Sequence, residues 1–133
     1  MGTNLQRVCL SIIEEIYNCK FLNEIMENYS CYLNLSNRDK SLVNMTILTL
    51  LRRNGEVELI IKKFLKKPLK HKHNVIMNIL RLATTQIVYL NIANYSVVNG
   101  FVNLVKKIRP GYEYLDNGIL RNICRNRSNL IET

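Results

Sequence analysis

The chain has 133 residues, 47% of them apolar and 22% charged, with a formal net charge of +9. That length and balance describe one folded domain able to bury a core without metals or disulfides, and exclude a fibrous or disordered chain. The basic excess favours nucleic acid or an anionic membrane as partner and says nothing about fold.

Taken in chain order, every segment reads as helix. Leu5, Val8, Cys9, Ile12, Ile13 and Ile16 recur at i, i+3, i+4 and i+7, so residues 3–18 predict an amphipathic helix. Phe21, Leu22, Ile25, Met26 and Tyr29 repeat the pattern over 20–33. Ser36 with Asp39 three residues on is a capping-box-like start for a third helix, 36–53. That helix is apolar almost all round, which predicts a central, buried position. Asn54-Gly55 is its expected stop, with Gly55 in the left-handed conformation.

A fourth helix is expected over 56–66, ahead of Pro68. A fifth, 73–90, is again apolar on most sides, broken only by the narrow polar stripe Asn74, Asn78, Arg81, Thr85. Arg81 brings five donors onto a buried element and must find partners, so a carboxylate inside the fold or helix-end carbonyls are its expected neighbours. The sixth helix, 95–108, carries Val97, Val98, Phe101, Val102, Val105 and Ile108 on one face, and Pro110-Gly111 ends it. The last, 112–126, carries Leu115, Ile119, Leu120 and Ile123. Residues 127–133 read as a polar, frayed tail, leaving 1–126 as the domain. The expected fold is an all-α bundle of seven helices with short connections.

Catalytic chemistry has little to work with. The five glycines are isolated, so no phosphate-cradling loop is present, and the carboxylates form no pair suited to acid–base work. Cys9, Cys19, Cys31 and Cys124 lack metal-ligand spacing, and His71 and His73 flank a lysine. Neither a metal nor another cofactor is expected, and the chain by itself is not expected to catalyse a reaction. No signal-peptide pattern opens it and no apolar run matches a membrane span, so the expected setting is the reducing cytoplasm, with no membrane partner.

The candidate binding feature is basic. On a helix over 57–67, Val57, Ile60, Ile61, Phe64 and Leu65 share one arc and Lys62, Lys63, Lys66 and Lys67 the opposite one. A solvated helix face also explains that arrangement. The lysines continue as Lys70 and Lys72, however, and no acid occurs between Lys62 and Lys107. A face of one sign attracts phosphates through counterion release. Further basic groups are Lys106, Lys107 and Arg109, then Arg121, Arg125 and Arg127, with Arg121 and Arg125 on one helix face. The tyrosines are scattered and give little support to a base-stacking surface.

At this point the order of motifs resembles a known family. RDKSLVNMTILTLLRRNGEVELIIKKFLKKPL (38–69) resembles the NusB-like fold. It is more closely similar to the N-terminal domain of the bacterial 16S ribosomal RNA cytosine-5 methyltransferases, the RsmB or Sun family. The shared features are Arg38-Asp39 opening a helix, Leu51-Arg52-Arg53 ending it, and Lys67-Pro68-Leu69 after the next. ILRLATTQIVYL (79–90) and NGILRNI (117–123) follow in register. Two departures stand out: Ile92–Ser96 where the family carries a Pro and a His, and Gly100 where it carries a Glu. The methyltransferase domain proper, with its S-adenosylmethionine site and catalytic cysteines, has no counterpart in this sequence.

The resemblance implies a NusB-like bundle of two small subdomains that binds RNA, ribosomal RNA in the methyltransferase case, and that positions its substrate without doing chemistry. Lys62, Lys63, Lys66, Lys67, Lys70 and Lys72 are the expected phosphate contacts, with Arg7, Arg52 and Arg53 as additions. A methyltransferase domain is the implied protein partner. Two alternatives stay open. One is a NusB-type transcription antitermination factor that binds RNA together with a small-subunit ribosomal protein. The other is a helical protein–protein interaction module whose basic face docks an acidic partner.

Overall fold

A computed structural model of the protein describes residues 3–18 and 30–131. Among these residues there is no strand. The helices are α1 (Thr3–Tyr17), α2 (Ser30–Leu33), α3 (Asn37–Arg52), α4 (Asn54–Phe64), α5 (Asn74–Val88), α6 (Asn94–Ile108), α7 (Glu113–Arg125) and α8 (Arg127–Ile131), with one 3-10 turn at His71–His73. The all-α bundle expected from periodicity is present. Of the helix expected at 20–33, only the last turn, α2, falls within the described residues.

The apolar periodicity explains the core. Leu5, Val8, Cys9, Ile12 and Ile13 of α1 are buried, as are Val57, Ile60 and Ile61 of α4 and Val97, Val98, Phe101, Leu104 and Val105 of α6. The central element is α5: every residue from Asn78 to Val88 except Arg81 is buried. α1 packs on α3 and α4 packs on α7; both pairs lie against α5, and α6 joins them by packing on α1, α5 and α7. The pairs form the two halves of the bundle, and one continuous set of buried side chains runs through both.

Local signals explain two helix boundaries. The Ser36 hydroxyl accepts the Asp39 N–H at 3.2 Å and caps α3. Gly111, at φ 98°, breaks the chain after Pro110, as only glycine does without strain.

Three expectations need correction. Gly55 does not end α3. Arg53, at φ −115° and ψ 22°, makes the break by itself, and Asn54 and Gly55 already belong to α4. Nor is α3 the central helix. Val43, Ile47 and Leu50 are buried, but Met45, Leu48 and Leu51 stand on its outer arc, Met45 58% exposed. Apolar residues all round a helix are a composition; packing chose the face. The polar stretch after Asn126 is not frayed through 131. Arg127 donates from Nε to the Ile87 carbonyl at 2.8 Å and from its guanidinium to the Asn91 side chain, so it closes the C-terminal end of α5. Leu130 then enters the core at 7% exposure.

Two buried polar residues test this packing. Gln6 is 1% exposed, and a Cβ placed on Gly100 would stand 2.3 Å from its Nε2 and 2.8 Å from its Cδ. Gly100 therefore makes room for a buried amide. Gly100→Ala is expected to destabilise the fold by about 1–3 kcal/mol despite alanine's better helix propensity. Adding Gln6→Ala should recover part of that loss, which a double-mutant cycle in urea measures.

Asp116 is fully buried, and among the described residues neither carboxylate oxygen has a hydrogen-bond partner. Burial pushes its pKa up to about 7, so the fold favours the neutral acid. The stabilisation is complete below the unfolded value near 4 and is lost as pH rises towards about 7, at up to ~1.4 kcal/mol per unit. Urea unfolding at pH 5 and pH 8 should show the chain weaker at pH 8, and Asp116→Asn should remove most of that difference. An unchanged difference in the variant would contradict the account.

Candidate nucleic-acid interface

The lysine-rich stretch starts on α4. Because Val57, Ile60 and Ile61 face the core, Lys62 and Lys63 at the helix end face solvent. Leu65 then turns to extended geometry (φ −96°, ψ 110°), ending the helix three residues before Pro68. The chain must still return to the N-terminus of α5, and residues 65–70 make that return along the first turns of α7.

The result is a groove of about 690 Å³ between the 64–73 segment and α7. Lys66, Lys67, Lys70 and Lys72 line one wall, and Tyr112, Tyr114, Leu115 and Gly118 are among the residues of the other. All four lysines are exposed. Among the described residues no acid lines the groove. His73 and Tyr112 also line it; their rings lie 4.6 Å apart between centroids at 43°, and the His73 Nε2 and Tyr112 hydroxyl share a 2.9 Å hydrogen bond. Tyr114 stands beside the lysines at 80% exposure.

The other expected contacts are elsewhere. Lys62 and Lys63 line a separate concavity of about 460 Å³ with Glu56, Leu59 and Tyr89. Arg53 is engaged locally: it pairs with Glu56 at 2.9 Å and lies 4.7 Å from the centre of the Tyr89 ring, while the Tyr89 hydroxyl donates to the same carboxylate. Arg7 on α1 and Arg52 at the end of α3 are exposed and line neither groove. Arg81 behaves as its burial requires. It donates to Glu58 at 2.7 Å and Asn78 at 2.6 Å, and its guanidinium lies over the Tyr17 ring, so it holds α4 and α1 against α5.

The tyrosines were not legible as part of a site. Tyr112 and Tyr114 come some 40 residues after the lysines, and no local pattern joins them. A third concavity, of about 280 Å³, lies between α6 and α7 and is lined by Asn94, Tyr95, Asn99, Arg121, Cys124 and Arg125. The Ile92–Ser96 corner, which departs from the family pattern, thus delivers an exposed Tyr95 beside two arginines.

Other chemistry is not assembled. Burial pushes the Cys9 thiol up to about 12, which leaves it protonated and unreactive. Burial also raises Cys124, against the opposing pull of Arg121 and Arg127. Among the described residues no group of three or more His, Cys, Asp or Glu could hold a metal ion, and no helix is long and apolar enough to cross a membrane.

Comparison with known proteins adds two findings. The sequence profile of the NusB family matches residues 4–125. The chain is also 30% identical over 103 residues to the ribosomal RNA small subunit methyltransferase B of Proteus mirabilis (strain HI4320). That alignment covers 74% of this chain and 24% of the relative, so the chain spans about a quarter of the relative's length.

The His73–Tyr112 hydrogen bond joins the end of the lysine segment to the residue that precedes α7. Tyr112→Phe keeps the ring and removes the hydrogen bond. Hydrogen exchange should then quicken by about fivefold at the His73 amide, which donates to the Lys70 carbonyl at 2.8 Å, while amides inside α5 stay unchanged.

Proposed function

The chain belongs to the NusB family, and on that premise we propose that it is an RNA-binding helical domain that positions ribosomal RNA and leaves any chemistry to another domain or protein. The observation that carries this reading is the groove between residues 64–73 and α7, where four exposed lysines meet two tyrosines and no carboxylate. A bland solvated face would place its lysines on a convex helix among acids. Here the cations gather along a concavity, where their potentials add and field lines are focused. The tyrosines offer flat faces of the kind bases stack on. The similarity to a ribosomal RNA methyltransferase favours ribosomal RNA as the target.

Lys66, Lys67, Lys70 and Lys72 are the primary phosphate contacts of this reading, and Lys62 and Lys63 are a secondary set. Arg7 and Arg52 add long-range attraction. Arg53 is assigned mainly to the fold because its charge is already paired. The family match also favours a second reading, in which the RNA is bound jointly with a small-subunit ribosomal protein as in transcription antitermination. Stoichiometric recovery of that protein with the purified chain would select it.

Binding to small-subunit ribosomal RNA fragments should weaken steeply with salt. Replacing Lys66, Lys67, Lys70 and Lys72 by Gln should lower the slope of log K against log salt by about 3, at roughly 0.7–0.9 per phosphate contact. Fluorescence anisotropy titrations between 50 and 200 mM salt, about the range over which such binding changes most, measure it. A slope equal to that of the unaltered chain would refute the groove as the RNA site.

A further inference from the structure

We propose that the RNA path does not end in the lysine groove but crosses the exposed ridge of α7 at Gly118 and continues to Arg121, Arg125 and Tyr95. This extension rests on the RNA-binding reading and assigns it residues on two further helices.

Four observations carry it. At 100° per residue, Tyr114, Gly118, Arg121 and Arg125 fall within an arc of about 60°, and all four are exposed. That arc joins two concavities: Tyr114 and Gly118 line the lysine groove, and Arg121 and Arg125 line the pocket shared with Tyr95. The two ends of the ridge are roughly 16 Å apart along the helix, at 1.5 Å per residue.

Among the described residues the ridge and both pockets are free of acids. No described carboxylate lines either concavity, whereas the pocket holding Lys62 and Lys63 contains Glu56. The two acids of α7 itself are turned away: Glu113 accepts the Gly111 N–H, and Asp116 is buried. Arg121 and Arg125 make side-chain hydrogen bonds to Asn117 and Asn122 of their own helix, four and three residues away, and neither has an ion pair among the described residues.

The crossing point is a glycine with nothing around it. A Cβ on Gly118 would meet no atom within 4 Å. The fold does not need glycine there, since the position is helical and open, and a mid-helix glycine costs stability relative to alanine. What its missing side chain provides is a low saddle between Tyr114 and Arg121, over which a ribose–phosphate backbone can lie close to the helix. An acidic protein surface would be served equally well by a side chain at this position; close approach of a backbone is what rewards its absence.

The test uses the full chain and a small-subunit ribosomal RNA fragment. Gly118→Leu should leave the thermal midpoint unchanged or higher, because the site has room, yet weaken RNA binding by about tenfold or more through overpacking at the contact. Gly118→Ala should bind more nearly like the unaltered chain. The double variant Arg121→Gln/Arg125→Gln should lower the salt slope by about 1.5, two contacts at roughly 0.7–0.9 each. If Lys66→Gln/Lys67→Gln weakens binding while Gly118→Leu and the arginine pair bind as the unaltered chain does, RNA stays in the groove and this inference is wrong. If the unaltered chain binds no RNA at low salt, the RNA-binding reading and its extension fall together.

Discussion

The structure depends on burying α5. A helix closed off from water along most of its length can carry a charge only if partners come with it, and Arg81 is the one charge it carries. Glu58 supplies a carboxylate at 2.7 Å, Asn78 an oxygen, and Tyr17 an aromatic face. Those three contacts orient the end of α1 and the whole of α4 about the central helix. With Val57, Ile60 and Ile61 of α4 facing the core, Lys62 and Lys63 at its end face solvent.

The same constraint builds the groove. α4 ends at Phe64, and the buried helix begins at Asn74, so a short cationic segment must bridge the two along whichever element lies beside them. That element is α7, which packs on both α4 and α5. Its tyrosines are thereby set against the lysines, and His73 meets Tyr112 at the point where the segment rejoins the core. The charge of the site is a property of the 62–72 stretch; its concavity is a consequence of how α5 is enclosed.

Buried polar groups mark where this protein differs from a plain hydrocarbon core. Gln6 occupies space that Gly100 leaves open between α1 and α6. The Gln86 amide reaches Thr46 across the interface of α5 and α3 at 3.2 Å, and the Thr46 hydroxyl in turn donates to the Leu42 carbonyl. Asp116 has no partner among the described residues and is tolerated as a neutral acid.

By itself the sequence determined the all-α class, most of the described helices, the core faces of α1, α4 and α6, the burial of α5 and the need of Arg81 for partners inside the fold. Each follows from local periodicity, or from the cost of burying a charge, and needs no knowledge of what lies across the core. The cap at Ser36 and the break at Gly111 were legible for the same reason. Tertiary structure alone decided which side of α3 is inside, since apolar residues surround that helix and only its neighbours α1 and α5 choose among them. It decided that Arg127 closes the end of α5 and draws Leu130 inward, which turns an apparently polar tail into a helix. It also sorted the basic residues, leaving Arg53 paired with Glu56, Lys62 and Lys63 beside the same acid, and Lys66, Lys67, Lys70 and Lys72 in an acid-free groove with tyrosines some 40 residues distant. A one-dimensional pattern reports how often a charge recurs, and only the packing of helices reports what stands opposite it.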